Sequence, residues 1–430
     1  KFCTLVKFYL SILIHLPLLV FIAFWIRKSY KDSPLLAHFY PALGLKCCAG
    51  VLLGLLYLFH YNRLGDTFTM YDLSVIITDL FWSQPEAFKK FIFYSEWPAD
   101  DLRLAGLDGQ PRVVFFIKLL SCLNIFTLNN YWVNTLYFSV FSFFASYALA
   151  DTILKKFTIT TSSVAIAFFY FPSVVFWSAG LLKEPLAIAC MFFLISLTLN
   201  LITEKRITWL SIIGWLLLAY IIFKIKFYYF AVLVPVLIAY VVVHLLKEKY
   251  TISVAFQILL FFLVLIIGGG TVSTLHPLLN LDVVAASIYN NYVTTIANSL
   301  GKNYFEFQGL EPTLKSMILH FPEALITGLF RPSVLDAHNW LGWMAALENV
   351  LIAILVGVAI VKVSINKTVQ YPLTVIAVVT YVIVLAALLA LASPNFGTLV
   401  RYKVSFLPFL LLLILQGSYW GKLFLKKPES

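Results

Sequence analysis

The sequence predicts an all-α, polytopic helical membrane protein, and three observations carry that prediction. Of its 430 residues, 61% are hydrophobic and 12% are charged, whereas an ordinary soluble domain has roughly 45–50% apolar and about 25% charged residues. Apolar runs of about 18 or more residues follow one another along the chain, each close to the ~20 that a helix needs to cross the hydrocarbon layer. Runs such as AVLVPVLIAYVVVHLL do not alternate residue by residue, which excludes the ~10-residue alternating strands of a membrane barrel.

In chain order, spans are expected near residues 8–27, 40–60, 131–151, 160–180, 184–203, 207–223, 228–246, 252–268, 343–361, 370–392 and 404–421. That is about 11 transmembrane helices in a single integral membrane domain, residues 1–430. The first run is too long for a signal-peptide core and no small-residue cleavage site follows it, so it counts as a span. Basic clusters then fall on alternate connections: Arg27, Lys28 and Lys31; Lys155 and Lys156; Lys205 and Arg206; Lys247 and Lys249; Lys362 and Lys367; Lys422, Lys426 and Lys427. By the positive-inside rule these are cytoplasmic, which puts the carboxyl terminus in the cytoplasm and the amino terminus outside. The same assignment makes RVVFFIKLLSCLNIF (residues 112–126), with Lys118 and Asn124 inside it, a helix lying in the outer interface.

Two long connections, residues 61–112 and 269–342, become external loops and hold most of the acids. In the second, GGGTVSTLHP is a breaker-rich exit from the preceding span, and LKSMILHFPEALITGLF has apolar residues at helical spacing, a second interfacial helix broken at Pro322. The net charge of +11 sits in short connections rather than in a tail or stripe, which argues against a nucleic-acid partner. Cys3, Cys47, Cys48, Cys122 and Cys190 lie in or beside apolar helices without metal-ligand spacing and read as apolar filler.

Ionisable residues in or at a bilayer are expensive and so are functional candidates by default. In GDTFTMYD, Asp66 follows the second span closely; it suits a general base or a cation ligand, with a helix N-cap as the plain alternative, and Asp72 follows six residues on. In FPSVVFWSAGLLKEP, Lys183 and Glu184 occupy a short outer turn and Pro185 opens the next helix, where Glu184 also complements the helix dipole. GLFRPSVLDAHNW, with Glu348 just beyond, gathers Arg331, Asp336, His338 and Glu348 at the ninth span, and a guanidinium held in an Arg-Pro turn can grip a phosphate. ASPNFGTLVRYK delivers Arg401, Tyr402 and Lys403 to the outer face, where Lys224 and Lys226 of FKIKFYY also fall. Cations on that face run against the orientation bias and suit an anionic lipid headgroup.

The order of an early outer acid, a Pro-led interfacial helix (QPRVVFFIKLL) and the span YWVNTLYFSVFSFFASYALADTILKKF resembles the first third of GT-C type glycosyltransferases. FPSVVFWSAGLLKEPLAIACMFFLISLTLNLITEKR resembles their next element, and LFRPSV, ALEN and PNFGTLVRY look like bacterial surface-polysaccharide polymerases. The resemblance implies a sugar or glycan donor linked to a polyprenyl phosphate, in the membrane lipid, and a glycan or other hydroxyl acceptor. It casts Asp66 as catalytic base and Glu184 as second acid, with Arg331 and Arg401 on the phosphate, and it leaves a divalent cation, magnesium or manganese, as an open point because Thr67 rather than a second acid follows Asp66. Two other classes compete. A lipid-linked oligosaccharide flippase or transporter requires polar residues through the middle of several spans. A non-catalytic subunit of an envelope assembly requires that the outer carboxylates be replaceable without loss.

Overall fold

The computed structural model describes residues 2–96, 110–204, 208–275, 280–299, 303–365 and 371–417. Among them every named element is helical: α1 (Phe2–Ser29), α2 (Phe39–Leu55), α3 (Asp66–Ser83), α4 (Pro85–Tyr94), α5 (Pro111–Thr127), α6 (Tyr131–Lys156), α7 (Thr161–Ala165), α8 (Pro172–Trp177), α9 (Lys183–Glu204) and α10 (Trp209–Ile225). There follow α11 (Phe227–Lys249), α12 (Val254–Leu275), α13 (Leu281–Ala297), α14 (Leu314–Leu319), α15 (Phe321–Phe330), α16 (Trp340–Ile365), α17 (Pro372–Ala392), α18 (Phe396–Lys403) and α19 (Leu407–Gly417).

The all-α, membrane-spanning class therefore stands, and the span count changes in detail. Eight helices are long and apolar enough to cross a membrane, and α18 with α19, bent by 60° at their junction, make a ninth if taken together. The expected run 160–180 is interrupted, because Pro172 lacks an amide hydrogen and restarts the chain as the short α8. With α10 it belongs among the shorter apolar helices, Thr161–Tyr170 and Trp209–Ile225. The glycine run expected to end the eighth span is instead helical, and α12 continues through it to Leu275. Glycine weakens a helix by about 1 kcal/mol relative to alanine but does not forbid one. His276 and Pro277 of that run lie outside the described residues, as do Lys205, Arg206, Lys367, Lys422, Lys426 and Lys427. The helix expected at 112–126 is α5, opened by Pro111 in its first turn. The one expected around Pro322 is α14 and α15, parted at His320.

The chain folds as two compact units: Lys1–Phe157 with Phe168–Leu197 and Thr208–Phe227, and Thr158–Ala167 with Thr198–Ile207 and Tyr228–Ser430. In the first, α2 runs antiparallel to α6. Phe39 packs on Phe143 and Tyr147 at one end, and Gly54 meets Tyr131 and Trp132 at the other. Between them Gly50 lets the two helices touch, since a Cβ there would lie 2.2 Å from the Ser139 hydroxyl oxygen. The same oxygen accepts the Gly180 amide at 2.9 Å, which hangs the turn before α9 on α6. Helices α3 and α5 cover that turn: Phe68, Phe116, Leu120, Tyr131, Phe138 and Leu181 form one buried cluster.

The second unit is built round α17. The ten-residue α15 lies hard against it, because Gly328 has no side chain; a Cβ at that position would fall 2.1 Å from the Ala386 carbonyl oxygen. The Tyr381 hydroxyl donates to the Ser405 carbonyl at the bend between α18 and α19 (3.0 Å). Beyond the last turn of α17, Asn395 caps α18 and Phe396 donates to the Asn303 carbonyl, tying the long connection to the helix ends.

Candidate functional site

The first unit brings six of the ten candidate residues into one body. Asp66 is the first residue of α3, half-buried, behind Gly65 at the cap position. Its carboxylate therefore sits at the positive end of the helix dipole rather than acting as the N-cap itself. Asp72, one of the expected substrate ligands, is engaged elsewhere: it pairs with Arg63 at 2.9 Å, both side chains about half exposed (52% and 53%). Such surface pairs contribute about 0–1 kcal/mol. Arg63 in turn lies over the Phe68 ring.

Lys183 and Glu184 open α9. Their turn is not exposed: residues 178–182 are all buried, Leu181 under α3 and α5 and Ala179 and Gly180 against α2. The Glu184 side chain is wholly buried (0% exposed), and one oxygen accepts from the Lys226 ammonium at 2.8 Å. Lys226 follows the last turn of α10 and is itself 10% exposed at its side chain. The two are 42 residues apart in sequence; α10 brings them together by packing on α5, where Phe115 meets Tyr220 edge-on. Lys224 lies over the Tyr220 ring. Burial first, and then the nearby charge of Lys224, lower the pKa of Lys118 on α5. Lys118 donates to the Ile92 carbonyl and to Ser95, closing the carboxyl end of α4.

The sequence reading missed Lys46. It lies near the middle of the second span, is 3% exposed, and donates to the Ser178 hydroxyl, which donates on to the Val174 carbonyl. The signal was a lysine in PALGLKCCAG; a charge in mid-span points inward by default. Also missed were the buried polar residues of α6, Asn134, Thr135, Ser139, Ser142 and Ser146. Ser139 and Ser146 return their hydroxyl hydrogens to carbonyls four residues back, the usual way such groups are satisfied in an apolar helix.

Arg331, His338, Arg401 and Tyr402 belong to the second unit. Arg331 is not an open phosphate ligand. Its guanidinium forms two bonds to Asp336, 3.1 and 2.5 Å, and lies between the Phe305 and Phe396 rings at 5.5 and 5.0 Å. The Ser333 amide and hydroxyl also donate to Asp336, both at 2.7 Å. Lys403 closes the turn from the other side: its ammonium donates to the Leu329 and Arg331 carbonyls and to the Asn349 amide oxygen, while Asn349 donates to the Pro332 carbonyl. The Arg331–Pro332 peptide bond is cis. His338 is exposed. Arg401 is buried (9% exposed) against the Tyr402 ring.

Burial alone raises the Asp336 carboxyl, but the donors of Arg331 and Ser333 outweigh it and hold its pKa at about 2, below the ordinary 3.8. A depressed carboxyl stabilises above its unfolded pKa and loses that contribution as pH falls through the folded one. The turn at residues 331–336 is therefore expected to keep its proteolytic resistance at pH 5 and to lose it between about pH 4 and 2. In Asp336→Asn the resistance should be low throughout and flat with pH. A wild-type profile without that acid limb removes the Arg331–Asp336 pair as the lock.

Among the described residues no three His, Cys, Asp or Glu side chains come together as a metal-holding group. Of the candidate carboxylates, Glu184 is paired with Lys226 and Asp72 with Arg63. Fold and site together define a polytopic helical membrane protein with ionisable groups buried among its helices. No protein-family model, curated protein or solved structure matches this chain.

Proposed function

We propose that the protein is a membrane glycosyltransferase of the GT-C type, which moves a sugar or glycan from a polyprenyl-phosphate-linked donor to an acceptor hydroxyl at the outer face of a bacterial cytoplasmic membrane. The supporting observation is the apolar cluster around Leu181, which gathers the starts of α3 and α9 at the Tyr131 end of α6. Asp66 and Glu184 are thereby carried on neighbouring helix starts of one unit, with Lys226 bound to Glu184 and Lys224 two residues before it. Helix starts favour anions, and ammonium groups beside them add to that preference.

In the proposed reaction Asp66 takes the proton of the acceptor hydroxyl as its oxygen attacks the anomeric carbon. The bond from that carbon to the phosphate oxygen breaks, and the lipid phosphate leaves with its negative charge stabilised by Lys226 and Lys224. Glu184 acts as a positioning residue that fixes Lys226 rather than as a second acid. The basic ends of α1 and α6 then face the cytoplasm, as does the carboxyl terminus.

Loss of a general base lowers rates by about 10²–10⁴-fold. Asp66→Asn is expected to reduce glycan transfer by at least that lower factor, with expression and membrane insertion unchanged. Full product from the variant removes Asp66 from the mechanism. A second reading, transport of the lipid-linked glycan, draws on Lys46 and the buried polar residues of α6. It is favoured if Asp66→Asn retains product while Lys46→Met stops the movement of a labelled lipid-linked glycan across sealed vesicles.

A further inference from the structure

Asp151 lies at the opposite end of α6 from the proposed reaction. Tyr131 and Asp151 are roughly 20 residues apart on one helix, ~30 Å at 1.5 Å per residue, which is the thickness of the hydrocarbon layer. Asp151 is 3% exposed, and one carboxylate oxygen is held by Lys155 at 2.7 Å. Its other oxygen is buried and has no hydrogen-bond partner among the described residues, and the same is true of the Arg27 Nε. A buried acceptor and a buried donor left over at the neighbouring ends of α1 and α6 are costly unless something supplies their partners.

The surroundings say what would fit. Arg27, in the last turn of α1, lies over the Tyr40 ring at 4.9 Å. Tyr30 meets Tyr147 edge-on at 4.9 Å, and the Tyr147 ring lies within electrostatic range of both Asp151 and Arg27, its hydroxyl facing Ser33. Burial first, then Asp151 and Tyr147, raise the Tyr30 phenol to about 12, so it stays a donor at any physiological pH. Exposed Lys28 and Lys31 adjoin the site along the chain, and Lys155 is 60% exposed at its side chain. The site thus offers an inner carboxylate flanked by tyrosines, and an outer rim of cations.

We propose that this cluster between the ends of α1 and α6 binds a phosphoethanolamine group, with the ammonium on Asp151 among the tyrosines and the phosphate on Arg27 and the lysine rim. A carboxylate with aromatic faces suits an ammonium, and an arginine suits a phosphate. Neither half alone satisfies both orphaned atoms; a zwitterion does. Because the cluster lies where two apolar helices end, the lipid phosphatidylethanolamine presents this group at the right depth, and Tyr30, half-buried on the turn, must shift to admit it.

The test uses the purified, delipidated full-length protein in detergent, with thermal unfolding followed on adding phosphatidylethanolamine, phosphatidylcholine or phosphatidylglycerol of identical acyl chains. The ethanolamine lipid is expected to raise Tm by several degrees more than either of the others. Asp151→Asn should bring its effect down to that of phosphatidylglycerol, and Arg27→Gln should weaken the response to all three. Soluble phosphoethanolamine and inorganic phosphate separate the sources. A response to soluble phosphoethanolamine equal to that of the lipid assigns the site to a free zwitterion, and a response to the lipid alone assigns it to the membrane. Equal stabilisation of the wild type by the three lipids overturns the proposal, as does a response of Arg27→Gln to the three lipids as large as that of the wild type, whichever way Asp151→Asn folds.

Discussion

Lys226→Met is expected to destabilise the protein by roughly 3–5 kcal/mol, the usual loss when one member of a buried ion pair is removed. Glu184 is wholly buried and its bonded oxygen lies 2.8 Å from the lysine nitrogen, so the substitution leaves that carboxylate to do without its ammonium in a medium of low dielectric. The pair as a whole contributes much less, because taking both charges out of water offsets most of their attraction. The double variant Lys226→Met with Glu184→Gln should therefore be distinctly more stable than Lys226→Met alone. Unfolding in detergent, run as a double-mutant cycle, measures the difference. If the double variant is no better than the single one, the two side chains are not coupled, and Glu184 is not the residue that holds Lys226.

The helices were legible because their signals are local. Pro111 and Pro372 sit in the first turns of α5 and α17, Asn130 caps α6, and the apolar runs between them exceed what any strand would need. Two local signals misled in opposite directions. Hydropathy counts apolar side chains and not hydrogen bonds, so the run from 160 to 180 read as one crossing despite Pro172. The glycines at 268–270 read as an exit, yet the apolar residues before them carry α12 onward to Leu275.

The site was legible where its partners are close in sequence. Arg331 and Asp336 are five residues apart and were gathered as a group, though as a phosphate ligand rather than as a closed pair. Glu184 with Lys226, and Lys46 with Ser178, join residues 42 and 132 positions apart; no periodicity brings such pairs together before the helices pack. Asp151 escaped notice for another reason. Beside Lys155 and Lys156 it looks like an ordinary charged helix end, and only its burial shows otherwise.

Lys403→Met is expected to produce the second large effect, in the second unit. An ammonium has three hydrogens, and Lys403 places them on three acceptors: the Leu329 carbonyl at 3.0 Å, the Arg331 carbonyl at 2.6 Å and the Asn349 side chain at 3.1 Å. Two of these are backbone oxygens at and beyond the carboxyl end of α15, where helix carbonyls lack partners within the helix. The lysine is 3% exposed, so methionine fills its volume while leaving the acceptors without a donor in a place water does not reach. At about 1–3 kcal/mol for each buried group left unsatisfied, the loss should be roughly 3 kcal/mol or more. Lys403→Arg should not rescue it, because a planar guanidinium cannot converge on three acceptors that surround a tetrahedral nitrogen. Hydrogen exchange locates the effect: amide protection over residues 331–336 should fall in both variants, while α10 and the part of α9 up to Leu197, which lie in the first unit, keep theirs. Protection at that turn equal to wild type would mean that Arg331, Ser333 and Asp336 hold it without the lysine, and Lys403 would then return to the cations available for an anionic ligand.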